Sequence, residues 1–174
     1  VNYYQKTVNQ GVAPIVAPVN LLLQSVRIAI DKALQQVGWS NLRYSGETKD
    51  ITVENGQTRI TVSLLSDGVK NMLAMVGDIA YRCAKLNPHL LTNSNQCAGI
   101  VLIDEIDMHL HPSWQQSVLN SLRHIFSNIQ FIVTTHSPQI LSTVKKCNIR
   151  VIDPSLTEAL IPEVNPYGQA SIVA

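Results

Sequence analysis

Residues 99–115, GIVLIDEIDMHLHPSWQ, hold the pattern on which the reading of this chain turns. The uninterrupted apolar run Ile100–Ile103 predicts a strand buried on both faces of a parallel sheet. It stops at two acids, Asp104 and Glu105. In open α/β sheets, ligands bind just beyond the carboxyl ends of the strands. Two neighbouring carboxylates placed there can divide the chemistry: one holds Mg²⁺ through its water shell while the other polarises an attacking water. The same residues also permit a plainer reading, two loop acids capping the next helix.

Working outward, Pro112 suits the first position of a helix. Trp114, Val118, Leu122 and Ile125 recur at the spacing of one buried helical face. NIQFIVTTHSPQIL (128–141) then supplies a second buried strand, closed by Thr134, Thr135 and His136. If the two strands are neighbours, His136 stands beside the acids, where an imidazole can reach a phosphate oxygen or position a water. Pro138 opens a short helix, and NIRVID (148–153) reads as a third strand. The order β-α-β-α-β predicts an α/β sheet with parallel strands.

Upstream, GVAPIVAPVN (11–20) carries two prolines and reads as a connector. Leu22, Val26, Ile30 (or Ala29), Ala33 and Val37 mark a helix over about 19–37 that ends at Gly38. Short strands follow near 41–44, 50–54 and 58–63, the last two joined by a tight NGQ turn. LLSDGVKN (64–71) then leads into a helix over about 68–86, with Val69, Leu73, Val76, Ala80, Cys83 and Leu86 on its apolar face. The first N–H groups of a helix are unpaired and partly positive. Ser66 adds a hydroxyl, and Gly68 leaves room for close approach, so this helix start can take an anion. An ordinary Ser/Asp N-cap explains the same residues.

Composition limits what else the chain can be. Its 174 residues are 45% hydrophobic and 14% charged, as expected of a folded domain with a sizeable core. A net charge of +1 lacks the footprint of a strongly basic nucleic-acid binder, and Lys145, Lys146 and Arg150 read as a solvated surface. Cys83, Cys97 and Cys147 show no C-x-x-C spacing, which argues against a disulfide framework and for a reducing, cytoplasmic setting. No apolar run approaches the length of a membrane span, and no signal peptide precedes the fold. The chain begins at Val1 without an initiator Met, so residues are expected upstream. His109 and His111 form an H-x-H pair that could ligate zinc, with no third ligand evident apart from the acids already assigned.

Taken together, four segments resemble the ABC-type ATPase heads of the SMC and RecF class. LSDGV (65–69) resembles the signature motif, IVLIDE (100–105) the Walker B strand, IDMHLHP (106–112) the D-loop, and TTHS (134–137) the switch-histidine strand. The resemblance covers roughly residues 60 to 152. It implies an α/β fold, the C-terminal lobe of a P-loop ATPase head with a largely parallel sheet flanked by helices. Residues 1–40 would form a connector and helix leading in, and 41–174 the lobe itself. The resemblance further implies ATP and Mg²⁺, with Asp104 holding the metal through water and Glu105 and His136 acting in catalysis. Ser66 and Gly68 would contact the nucleotide of a second head, and His111, in the place of the D-loop acid, would lie at the dimer seam. Two departures stand out. Asp67 occupies a signature position usually held by glycine, a variant found among RecF-like and OLD-like ATPases. No G-x-x-x-x-G-K-[ST] phosphate loop occurs in these residues, and no Q-loop can be located.

The wording around these motifs is similar to the ATPase subunit of Septu-type anti-phage systems, also found in certain retrons. That similarity implies an HNH-type nuclease partner, and possible association with nucleic acid or a retron reverse transcriptase with its msDNA. Three functions therefore compete: a hydrolysing head-to-tail ATPase dimer, a nucleotide-gated clamp or DNA-binding module with little turnover, and a metal-dependent nuclease. Glu105 favours the first, since a clamp needs no general base. The residues after Asp153 are too few for the Toprim domain that the third would require.

Overall fold

The computed structural model describes residues 19–108, 110–152, 159–163 and 165–167. The expected connector at 11–20 lies almost wholly outside these residues, and so does His109.

Helix α1 spans Val19–Gln35 and buries Ser25, Ala29, Ala33 and Leu34. Of the two residues that could continue its apolar stripe, Ala29 is the fully buried one, while Ile30 packs against the core from its side. The small Ala29 and Ala33 allow α1 to lie close against helix α2, Asp67–Leu86, whose inner face carries Met72, Val76, Ile79, Ala80 and Cys83. Leu86, expected on that face, is 77% exposed. It is the last residue of α2, beyond the helix's final buried turn.

Between the helices lies a three-stranded antiparallel sheet, β1 (Ser40–Ser45), β2 (Asp50–Asn55) and β3 (Thr58–Thr61), in that order. The β2–β3 turn requires a positive φ, which Gly56 supplies at 59°. Val53 on β2 joins Leu34, Leu65, Val69 and Leu73 in a small second core beneath the start of α2. On this sheet the Arg59 guanidinium, and then the Asn41 amide, hold the Glu54 carboxyl below its usual range.

A parallel pair forms the other layer: β4 (Gly99–Ile103) and β5 (Ile129–Val133), in register from Gly99↔Ile129 to Ile103↔Val133. This is the α/β arrangement expected, with two corrections. The apolar run of β4 is not buried on both faces: Ile100 is 61% and Leu102 76% exposed, while Val101 and Ile103 pack inward. These two side chains face a cavity that α2 borders rather than fills. Nor does NIRVID make a third parallel strand. A turn of 3₁₀ helix occupies Lys146–Asn148, Arg150 folds its guanidinium back onto the carbonyls of Cys147 and Ile149, and Val151 bridges antiparallel to Leu160.

The connection from β4 to β5 was expected as one helix and is two, α3 (Pro112–Gln115) and α4 (Val118–Ile125). At the break the Ser117 hydroxyl donates to the Trp114 carbonyl, a local bond that competes with a regular helical turn. Pro138–Leu141 forms helix α5, and its N-cap Ser137 accepts the Ile140 N–H.

The main core joins α1, α2, β4, β5 and α4. At its floor Phe126 is fully buried, with its ring 6.4 Å from that of Phe131 in a tilted arrangement. Phe126→Ala is expected to cost about 3–5 kcal/mol through lost transfer energy and the cavity left behind. A urea melt followed by circular dichroism checks it; a cost below about 1 kcal/mol would mean the floor relaxes freely.

Cys83 and Cys97, distant in sequence, meet in this core. Burial, and then the neighbouring Cys97 thiol, push the Cys83 thiol up to about 12. All three cysteines are free. Among the described residues no helix is long and apolar enough to cross a membrane.

Candidate functional site

The carboxyl ends of β4 and β5 lie side by side, because the parallel register runs to Ile103↔Val133 and then continues into the loops. The Thr134 N–H donates to the Ile103 carbonyl at 3.0 Å, and the Ile106 N–H donates to the Thr134 carbonyl at 3.1 Å. Between these two bonds sit Asp104 and Glu105.

Thr134 is the group that touches both. Its hydroxyl donates to Asp104 Oδ1 and accepts the Glu105 N–H, the latter at 2.8 Å. One carboxylate oxygen of Asp104 is thereby pinned, and both acids stay exposed to solvent. By residue type alone, Thr134 gives no sign of a site role. The signal available was its position: one residue past the end of β5, it falls opposite Asp104, one residue past the end of β4, once the strands are paired.

Glu105 has φ of 48°, in the left-handed region. A non-glycine residue pays roughly 1–2 kcal/mol for that conformation. The bend turns the chain out of the strand at Glu105, so successive side chains no longer alternate as they would along β4. Asn41, Lys49 and Leu91 also have positive φ away from the site, so what distinguishes Glu105 is the bend together with a carboxylate at a strand end.

His136 lies two residues beyond Thr134 and is exposed. The structure brings the segment that carries it against the acids, through Thr134 rather than through the imidazole. His111 is exposed at the foot of α3, where its carbonyl accepts the Trp114 and Gln115 N–H groups at 2.8 and 3.1 Å. With His109 outside the described residues, the H-x-H pair is not seen as a unit. Among the described residues no three His, Cys, Asp or Glu side chains converge to hold a metal. Mg²⁺ suits such a site, since it keeps several waters and needs only one or two carboxylates beside substrate phosphates.

Ser66 and Gly68 open α2 on a different element, and no hydrogen bond among the described residues joins them to the acids. Ser66 occupies the N-cap position in an extended conformation, yet its side chain makes no capping hydrogen bond. The plain N-cap explanation of SDG is therefore weakened. Asp67 is paired with Lys70 at 2.7 Å, which offsets the negative charge at the helix start.

Alongside β4, a cavity of about 570 Å³ is bounded by Asp78, Arg82 and Leu86 of α2 and by Ile100, Leu102 and Asp104. Asp104 closes its site end; the rest of the lining is mainly apolar.

Comparison with known proteins identifies relatives of the chain. Residues 7–142 match the family described as "AAA domain, putative AbiEii toxin, Type IV TA system". The chain is 49% identical over 112 residues to the "Retron Ec83 probable ATPase" of Escherichia coli, covering 64% of this chain and 20% of that protein. It is 32% identical over 109 residues to the "Septu protein PtuA" of Bacillus thuringiensis, covering 59% of this chain and 27% of that one. The chain thus spans between about a fifth and a quarter of the length of these relatives. A solved structure from work on "ATP-driven dimerization and DNA stimulated activation of SMC ATPases" covers 80% of this chain and 86% of its own, with a TM-score of 0.50 at 17% identity, a likeness of fold.

Proposed function

The chain belongs to the AAA-domain family described as "AAA domain, putative AbiEii toxin, Type IV TA system", and from that premise we propose that it is the C-terminal lobe of an ATP-hydrolysing head. The observation that carries this reading is the pair Asp104–Glu105 at the mouth of two parallel strands, with one acid pinned by Thr134 and the other turned out by a left-handed backbone.

In this reading Asp104 would hold Mg²⁺ through water, and the ion, when bound, would supply charge neutralisation for the phosphates. Glu105 takes a proton from the attacking water, and His136 reaches the terminal phosphate from the end of β5. Pinning by Thr134 leaves Asp104 one oxygen for the water shell and lowers the entropy cost of holding it in place. The phosphate loop, for which these residues have no motif, belongs to a part of the polypeptide outside them. Two heads pack head to tail, so that the uncapped Ser66 hydroxyl and Gly68 of one meet the nucleotide of the other, with His111 at the seam. The names of the relatives support a role in retron- or Septu-type defence. There the ATPase would control an HNH-type nuclease and act with nucleic acid or a reverse transcriptase–msDNA complex.

Calorimetric titration with Mg-ATP tests the division of the site. Residues 1–174 alone are expected to show no saturable binding at micromolar ATP, because the Lys and backbone cradle that grip the phosphates are absent. The full-length polypeptide is expected to bind and hydrolyse. Tight binding by residues 1–174, or none by the full-length protein, overturns the assignment.

A further inference from the structure

Beyond Thr134, the two loops at the site are joined by a closed ring of four residues. The Thr135 hydroxyl donates to Asp107 Oδ1 and accepts the Ser137 N–H at 3.0 Å. The Ser137 hydroxyl donates to Gln115 Oε1 at 2.6 Å. Gln115 Nε2 then donates to the Asp107 carbonyl at 3.3 Å and to the Leu110 carbonyl at 3.0 Å, which closes the ring. Only one orientation of the Gln115 amide satisfies these partners: two carbonyls can only accept, so they must face its nitrogen.

The ring brackets the two histidines. His136 lies between Thr135 and Ser137, and His111 lies between Leu110, which accepts from the Gln115 side chain, and α3, where Gln115 donates its own N–H to the His111 carbonyl. From a third element, the Gln115 side chain reaches both loops, bonding Ser137 on one and the Asp107 and Leu110 carbonyls on the other. It sits half-buried in a four-residue helix too short to order these loops by itself. An alternative partner is also within reach: Gln139 Oε1 stands 3.0 Å from the Ser137 hydroxyl, which has a single proton to give. Without Gln115 that proton turns to Gln139, and the His136 segment keeps only the Thr135–Asp107 side of the ring as its tie to the turn that carries His111.

We propose that Gln115 is a positioning residue for ATP hydrolysis, registering the His136 segment against the His111 turn and Glu105. This rests on the hydrolytic reading of the site. Misplacing a reacting group by about 1 Å can cost about 100-fold in rate.

The test uses the full-length protein, with turnover measured against ATP concentration and Glu105→Gln as the baseline. Gln115→Met keeps volume and removes the amide. It is expected to lower kcat about 10- to 100-fold while KM and ATP-driven dimerisation stay within about twofold and the melting temperature within a few degrees. Ser137→Ala is expected to lower kcat by a similar factor, and the double variant no further, because the two act as one unit. An unchanged kcat overturns the inference, as does a fall in kcat matched by a collapse in melting temperature, or multiplicative losses in the double variant. If Gln115→Met fails to fold, Ser137→Ala, which deletes one oxygen, carries the same test. Wild type turning over no faster than Glu105→Gln would remove the hydrolytic reading itself, an outcome distinct from an active wild type with an equally active Gln115→Met.

Discussion

Glu105→Gln in the full-length protein is expected to lower ATP turnover by roughly two to four orders of magnitude, the usual size of a general-base contribution. Glutamine keeps the shape of the side chain, and the backbone N–H of residue 105 keeps its bond to Thr134. Nucleotide binding should therefore persist, and if the proposed ATP-bound dimer is left by hydrolysis, it should accumulate. Asp104→Asn should behave differently. It replaces the carboxylate that accepts from Thr134 and that would face the metal in the proposed site, so affinity for Mg-ATP should fall along with rate. Single-turnover kinetics beside equilibrium titration separate the two variants. Equal turnover by wild type and Glu105→Gln would reduce Glu105 to a loop acid and leave a nucleotide-gated clamp as the better description.

Ser66→Arg is expected to abolish ATP-driven dimerisation while each head still takes up nucleotide. In the proposed dimer, the added bulk and the guanidinium would stand between the helix start of one head and the nucleotide of the other. A plain N-cap predicts instead a loss of roughly 1 kcal/mol in stability and an intact dimer. Because the Ser66 hydroxyl makes no capping bond, Ser66→Ala should leave the melting temperature nearly unchanged. Light scattering with and without ATP, beside a thermal melt of both variants, decides it. An ATP-dependent dimer in Ser66→Arg would remove Ser66 from the interface.

What the sequence made legible follows from local periodicity. The helical spacing that marks α1 and α2, the hairpin around Asn55 and Gly56, and the apolar runs of β4 and β5 depend on neighbours within a few residues, and all of them form. Features set by distant partners were not legible. An apolar run reads the same whether its outer face is covered or open, so the exposure of Ile100 and Leu102 could not be foreseen. NIRVID has the composition of a strand, but Val151 bridges antiparallel to Leu160, a partner outside the segment. The site divides likewise. Asp104, Glu105 and His136 announce themselves by residue type at strand ends. Thr134 and Gln115 act through partners in other elements, and a threonine or glutamine carries no chemical signal until those partners are known. The meeting of Cys83 with Cys97 belongs to the same class.

The left-handed backbone at Glu105 bears on how this position can change over generations. Glycine would sit there without strain, and drift toward it would relieve roughly 1–2 kcal/mol of conformational penalty. Mutation offers that route at little genetic distance, since glutamate and glycine codons differ by a single base. A lineage that keeps the strained residue is therefore selecting its carboxylate against a standing pull toward the relaxed one. Loss of the acid in a descendant would mark the point at which the chemistry ceased to be needed.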